Sequence, residues 1–269
     1  MRFSLANFKI MNVVSAVAFF VALVLNGLAN IIPINGLETG VISDTYANYF
    51  APIGLTFSIW AVIYTLLAIY VGWRLKHLKD DQDTPYHRHL FKLDIAFTIS
   101  SFANAGWILA WHYLQFPLSL ILMLILFAAL VYMNLAFRGD TSLATIPFRI
   151  YFGWITVATV ANVTTMIVAD ANQYRWLWNG GEVSQQMMTS IILVITILIG
   201  VVTIIRQKDS YYGSVIVWAL FGIYLRHTVN MPDFGIIGVA NTALLGIVVA
   251  ILAIVWTLRK QFYKLIKKS

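Results

Sequence analysis

The chain has 269 residues, of which 60% are hydrophobic and 11% are charged, with a mean hydropathy of +0.80 and a formal net charge of +7. A soluble domain carries about a quarter charged residues, so this composition excludes a soluble globular protein and indicates an integral membrane protein. The chain has no cysteine, which excludes disulfides, cysteine-ligated metals and thiol catalysis.

Eight apolar segments have a length close to that needed to cross a bilayer. In chain order they are 10–32, 53–75, 94–114, 117–137, 149–170, 186–206, 211–227 and 235–258. They predict an all-α fold, a polytopic membrane helix bundle of about eight transmembrane helices. The start of the chain also resembles a signal peptide, but its apolar run is longer than a typical signal-peptide core. We therefore interpret it as a helix that stays in the membrane.

The basic residues are distributed unevenly between the two sides of this arrangement. With eight crossings, all the lysines and arginines except Arg175 and Arg226 fall on the side of the termini. Because positive charge is retained on the cytoplasmic side, the pattern predicts a multi-pass protein of the cell membrane with both termini cytoplasmic. The positive net charge is then explained by the orientation of the protein in the membrane. The expected partner is the lipid bilayer, and no nucleic acid partner is expected.

The second segment begins at an external loop, residues 33–52, which has no lysine or arginine. Proline interrupts a helix, so Pro52 predicts a turn from the loop into the segment. Further along, Phe57, Trp60 and Tyr64 follow each other at spacings of three and four and share one helical face. The segment therefore presents an aromatic stripe well inside the membrane.

The third and fifth segments carry similar stripes with polar atoms at mid-depth. The faces are formed by Ser100, Asn104, Trp107 and Trp111, and by Tyr151, Trp154, Ala158 and Asn162. Because an amide facing lipid is costly, Asn104 and Asn162 are expected to point into the bundle. Two interpretations remain open: packing between helices through hydrogen bonds, or a pocket for a flat, largely apolar ligand with polar edges.

Other polar residues have simpler interpretations. Arg226 and His227 end the seventh segment, near Asp233 in sequence. They are predicted to be exposed ends, an interfacial ion pair, or a charged rim for an anionic ligand group. Asp94 is predicted to be an exposed acid in a first helical turn. Asn26 is predicted to bond the loop or to cap its helix. Trp111 is predicted to lie in the aromatic belt at the membrane edge.

The sequence lacks the residues that a metal site or a catalytic site would require. The histidines lie at segment edges or in a charged loop, so no metal site is predicted. No nucleophile–base pair is evident, so no catalytic residue is assigned and nothing requires the protein to be an enzyme.

Three short motifs occur in order along the chain, in the second, third and fifth apolar segments. They are P-x7-W-x3-Y (Pro52, Trp60, Tyr64), N-x2-W (Asn104, Trp107) and Y-x2-W-x3-A-x3-N (Tyr151, Trp154, Ala158, Asn162). Over residues 10–170 they resemble the TspO/MBR family, whose members are called translocator proteins or tryptophan-rich sensory proteins. The resemblance implies a five-helix core at residues 1–170. Residues 171–269 then form three additional transmembrane helices and a basic cytoplasmic tail.

The resemblance also implies a function. Family members are often dimeric and bind porphyrins, haem-type tetrapyrroles or sterols in a pocket that the first loop covers. That loop is 33–52 here, and the lid residues are Tyr46, Tyr49, Phe50 and Pro52. No cofactor is required.

Two departures from the family pattern limit this inference. Gly54 stands where the family has a tryptophan, and no tyrosine and arginine follow Asn162. Tryptophan-dependent porphyrin chemistry and cholesterol binding are therefore not expected.

The sequence favours a membrane-embedded binding protein, a receptor or sensor, for a planar hydrophobic, tetrapyrrole-like ligand. The pocket is predicted between the second, third and fifth helices, with Phe57 beside the motif residues. A transporter of a small lipophilic solute and a ligand-free membrane scaffold remain as alternatives.

Overall fold

The computed structural model describes residues 5–46, 48–78, 85–138, 140, 142–170, 182–230 and 238–267. Their helices are α1 (Leu5–Ile31), α2 (Thr39–Thr45), α3 (Ile59–Lys76), α4 (Pro85–His112), α5 (Phe116–Ala136), α6 (Ile146–Ala169), α7 (Glu182–Gln207), α8 (Ser210–Leu225) and α9 (Val239–Ile266). Short 3-10 turns lie at Ile34–Gly36, Gly54–Ser58 and Leu143–Thr145, and a π turn at Arg226–Asn230 follows α8. The predicted all-α fold is confirmed. Arg175 and Asp233 lie outside the described residues.

Seven helical segments of the described residues are long and apolar enough to cross a membrane. They are Asn7–Ile31, Gly54–Lys76, Arg88–His112, Phe116–Ala136, Leu143–Ala169, Ser184–Gln207 and Val239–Tyr263. The shortest predicted segment corresponds to α8, which has 16 residues and continues into the π turn. The protein is therefore a multi-pass membrane protein, as predicted.

The chain forms two compact units, and each unit is built from two separate stretches of the sequence. The first unit contains residues 1–42 and 60–148, and the second contains residues 43–59 and 149–269. The predicted division at residue 170 stays a prediction.

In the first unit, α4 packs against both α1 and α5. The ring of Phe148 joins the helices at one end, with centroids 4.7 Å from Tyr70, 5.4 Å from Phe97 and 5.4 Å from Phe137. Aromatic pairs in this range add stabilisation beyond their buried area, because their rings meet edge to face or tilted.

A buried ion pair lies near the same end of this unit, and it corrects the interpretation of Asp94. The Arg74 guanidinium donates to the Asp94 carboxylate at 2.5 Å, and the two side chains are 6% and 1% exposed. The amide oxygen of Asn12, oriented toward Arg74, accepts from Nε and Nη2 at 3.1 and 2.9 Å. The prediction of an exposed acid was wrong because α3 ends beside the start of α4 and supplies the counter-charge that a buried carboxylate requires.

In the second unit, α9 packs against α7 and α8. The turn between α7 and α8 has Lys208 in the left-handed region, with φ 55°, and Asp209 caps α8 by accepting from the Tyr212 amide at 3.0 Å. Burial raises the pKa of the Asp209 carboxyl, although the Tyr212 amide and Arg149, 3.8 Å away, favour its charged form.

The 3-10 turn before α3 packs tightly on α8 within the second unit. The Ile53 amide donates to the Gly222 carbonyl at 3.2 Å, and the Trp218 indole donates to the Thr56 carbonyl at 3.0 Å. A Cβ on Gly222 would overlap the Thr56 hydroxyl and lie 2.9 Å from the Thr56 Cβ. Glycine at 222 is therefore what allows the two backbones to approach each other.

This contact predicts the effect of a single methyl group. Gly222→Ala is expected to destabilise the protein by about 1–3 kcal/mol, because the added carbon overpacks a contact with no room. Gly72→Ala in α3 is the control, since a Cβ there meets nothing within 4 Å and alanine favours a helix. Thermal unfolding in detergent measures both variants, and equal melting temperatures would contradict the close packing.

Candidate functional site

Four aromatic rings form a continuous stack between α3 and α4 in the first unit. Trp60 lies 5.5 Å from Tyr64 and 5.7 Å from Trp107, and Trp107 lies 6.0 Å from Trp111, measured between ring centroids. Successive ring planes differ by 16–30°. The spacing of four residues on each helix produces this arrangement, because residues i and i+4 are neighbours on one face. We call these four residues the aromatic column.

A cluster of polar side chains lies beside the column, and we call it the amide node. The Asn104 side-chain oxygen accepts from the Tyr64 hydroxyl at 2.9 Å and from the Asn26 amide at 2.7 Å. Asn104 is 1% exposed and Asn26 is 6% exposed. The prediction that Asn26 bonds the loop or caps its helix was wrong. Its side chain instead reaches from α1 to α4, because a buried amide needs a partner inside the protein.

One polar atom in the column has no partner among the described residues. The Trp107 indole nitrogen is buried and makes no hydrogen bond to any residue that the structure describes. The neighbouring Trp111 differs, since its indole donates to the Thr39 carbonyl at 3.3 Å. A buried donor without an acceptor costs about 1–3 kcal/mol. Trp107 therefore offers a hydrogen-bond donor that the described part of the first unit does not use.

The first part of the loop is attached to the end of α4. The His112 ring bonds the Ile34 carbonyl through Nδ1 and the Thr39 hydroxyl through Nε2, each at 3.1 Å. Because a carbonyl only accepts, Nδ1 carries the proton and Nε2 accepts from Thr39. Asn35 in turn donates to the His112 carbonyl at 3.0 Å. Trp111 and His112 are the last two residues of α4, so both lie at the segment end as predicted. The interpretation of Trp111 as a belt residue was wrong, because its ring is buried and bonds the loop.

The second part of the loop is attached to α6 through Asn48. Its side-chain oxygen accepts from the backbone amides of Phe50 and Ala51 at 3.0 and 2.9 Å, and from the Thr164 hydroxyl at 3.1 Å. Its nitrogen donates to the Thr165 hydroxyl at 3.3 Å. Asparagine therefore shapes the turn and holds it on the helix with one side chain.

The predicted lid residues belong to this part of the loop. Phe50 and Pro52 are buried, and Tyr46 and Tyr49 are half-buried. The His227 ring stacks on Tyr49 at 5.8 Å and donates from Nε2 to the Tyr49 carbonyl at 2.7 Å.

Arg226 makes a further attachment of the loop. Its Nη1 donates to Asp44 at 2.7 Å and to the Pro52 carbonyl at 3.4 Å. The predicted ion pair at the end of the seventh segment is confirmed, with Asp44 as a partner. The alternative of exposed ends was wrong, because Arg226 is 6% exposed and His227 is 2% exposed.

The chain matches the family described as TSPO-like protein over residues 12–256. It belongs to this family. The match continues past residues 10–170, on which the resemblance rested, through α7 and α8 and most of α9. No curated protein and no solved structure matches the chain.

The remaining predicted site residues of this TSPO-like protein belong to the second unit. Trp154 of α6 meets Phe57 edge to face, with centroids 5.8 Å apart. Three other residues of α6 complete the predicted set, namely Tyr151 and Asn162, which are each 2% exposed, and the half-buried Ala158. The structure thus brings Trp60, Tyr64, Asn104 and Trp107 together in one unit. A pocket that includes the α6 residues stays a prediction.

The amide node predicts an order of stability among variants. Tyr64→Phe removes one of two donors to Asn104 and is expected to cost about 0.6 kcal/mol, the average for a hydrogen bond between membrane helices. Asn104→Ala is expected to cost more, because two buried donors then lose their shared acceptor. Unfolding in mixed micelles measures both, with Tyr132→Phe on the exposed face of α5 as the control. An Asn104→Ala cost no larger than that of Tyr64→Phe would contradict the shared acceptor.

The attachment of the loop predicts a change in hydrogen exchange. Arg226→Gln is expected to accelerate exchange of the amides at residues 48–53, because the variant loses its charge-assisted bond to the loop. Asp44→Asn is expected to have a smaller effect, since the Asp44 side chain is 58% exposed and Arg226 keeps the Pro52 carbonyl. Glu38→Gln, an exposed acid of the same loop, is the control. Unchanged protection in Arg226→Gln would refute the attachment.

Proposed function

We propose that this TSPO-like protein is a membrane-embedded binding protein or sensor for a planar hydrophobic ligand of the porphyrin or haem type. The aromatic column and the amide node form the binding wall. The single observation that carries the proposal is the buried Trp107 indole, whose donor has no acceptor among the described residues.

The chemistry of the wall matches a flat ligand with a polar edge. Near-parallel rings present flat apolar surface, and offset stacking is the geometry that aromatic groups favour. A pocket of this kind gains orientation from a few polar groups in an apolar lining. Trp107 supplies such a group, and an acceptor atom of the ligand would satisfy it.

Other parts of the proposal are supported by the sequence. Tyr151, Trp154, Ala158 and Asn162 are proposed to bind ligand on the strength of the family motif, and the loop 33–52 is proposed as the lid. We also propose the cell membrane as the location, cytoplasmic termini on the evidence of the basic residues, and a homodimer by analogy with the family.

The amide node is the observation that favours the alternative, a scaffold without a small ligand. Asn26, Asn104 and Tyr64 bond each other across three helices, and such bonds also serve as packing between membrane helices. The two functions differ in what a substitution at the column does. A scaffold loses stability, whereas a binding wall loses ligand affinity.

Protoporphyrin IX added to the protein in lipid nanodiscs tests the proposal through quenching of tryptophan fluorescence and a shift in melting temperature. Saturable binding is expected, and Trp107→Phe is expected to weaken it about tenfold, because the variant keeps a ring but loses the donor. Trp73→Phe, outside the column, is the control. The proposal is wrong if binding does not saturate, or if Trp107→Ala leaves it unchanged. Column variants that lower stability alone would support the scaffold.

A further inference from the structure

A groove of about 890 Å³ lies where α7 and α9 end, within the second unit. It shares no residue with the aromatic column or the amide node, and the proposed function leaves it without a role. The residues that carry the argument are Lys208, Trp256, Thr257, Arg259, Lys260 and Lys267.

The position of the groove places it at the boundary between hydrocarbon and water. The apolar spans of α7 and α9 end at Gln207 and Tyr263, on either side of the groove. Trp256 and Tyr263 are 43% and 64% exposed. Exposed tryptophan and tyrosine near the end of a span are typical of the level at which lipid headgroups lie.

The lining of the groove is positively charged. Among the described residues it includes four basic side chains and no acidic one, and the nearby Asp209 is buried as the cap of α8. The Lys260 ammonium lies 3.7 Å from the centre of the Trp256 ring, a cation–π contact. Lys260 is therefore held over the aromatic part of the groove, so its position is restrained.

Lys208 is held on the opposite side of the groove by the backbone. The Gln261 side chain donates to the Lys208 carbonyl at 2.9 Å, and Lys208 occupies the tight turn that separates α7 from α8. This bond joins the turn to α9. The two walls of the groove are thus connected, and their basic side chains converge on one space.

Thr257 adds a hydroxyl that is not satisfied among the described residues. The residue is 1% exposed and lines the groove, and its hydroxyl has no hydrogen-bond partner there. Buried hydroxyls are normally bonded. A phosphate oxygen is an acceptor that would complete it, since phosphate accepts several hydrogen bonds and attracts basic side chains.

We propose that this groove binds the phosphate group of an anionic phospholipid. Lys208, Arg259 and Lys260 neutralise the phosphate, and the Thr257 hydroxyl donates to one of its oxygens. Trp256 contacts the glycerol and the upper part of the acyl chains. A basic groove between transmembrane helices at the headgroup level recognises such lipids, whereas soluble phosphate would use the charges but not the aromatic wall.

The experiment uses the full chain in mild detergent with short-chain phosphatidylglycerol, phosphatidylcholine and inorganic phosphate as separate probes, and native mass spectrometry as the readout. Saturable binding of phosphatidylglycerol, with little binding of phosphatidylcholine, is expected. Lys260→Gln is expected to weaken it about fivefold. Lys76→Gln, an exposed base at the end of α3, removes the same charge elsewhere and is expected to leave binding unchanged.

Variants of Thr257 distinguish a specific phosphate site from general attraction between charges. Thr257→Val is expected to weaken phosphatidylglycerol binding, and Thr257→Ser, which restores the hydroxyl, is expected to recover it. The proposal is overturned if both lipids bind equally, if Lys76→Gln weakens binding as much as Lys260→Gln, or if Thr257→Val binds like the unmodified protein. Inorganic phosphate that competes at the concentration of the lipid would identify a soluble phosphate site and would also overturn it.

Discussion

Inside a bilayer a polar side chain has no water to bond, so it must find its partner within the protein. This constraint explains where the described helices are joined. Asn26 reaches Asn104, Arg74 reaches Asp94, and the partners in each pair come from different helices. Apolar surface alone does not select one neighbour for a membrane helix, because lipid is equally apolar. The polar pairs therefore define which helices pack together and in what register.

The same constraint makes two buried polar groups without a described partner informative. Trp107 and Thr257 are almost fully buried, yet the indole of one and the hydroxyl of the other have no partner among the described residues. One lies in an aromatic column, and the other lies in a basic groove where two apolar spans end. Each leaves a single donor that an acceptor from outside the protein would satisfy. The surroundings differ, flat and apolar in one case and cationic in the other, so the two proposed sites are expected to favour different ligands.

Sequence patterns predicted the features that depend on neighbours in the chain. Runs of about twenty apolar residues gave the spans, and spacings of three and four residues placed Trp60 with Tyr64 and Asn104 with Trp107 on common faces. Partners distant in sequence were not predictable in this way. Asp94 is 20 residues from Arg74, and nothing local marks it as paired rather than exposed. The attachment of the loop was missed for the same reason, since Asn48 resembles an ordinary turn residue until its partners on α6 are known.

The loop between α1 and α3 is attached partly through its own side chains, such as Asn48 and Asp44, and partly through its backbone. Side chains of the helices donate to its carbonyl groups, with Trp111 bonding Thr39, His112 bonding Ile34, and His227 bonding Tyr49. A carbonyl is present whatever residue carries it, so these anchors do not depend on the identity of the loop side chains. The side chains of Ile34 and Tyr49 can therefore change without loss of these bonds, whereas Asn48 and Asp44 bond through their own side chains. Different side chains at Ile34 and Tyr49 would leave the backbone of the loop in place.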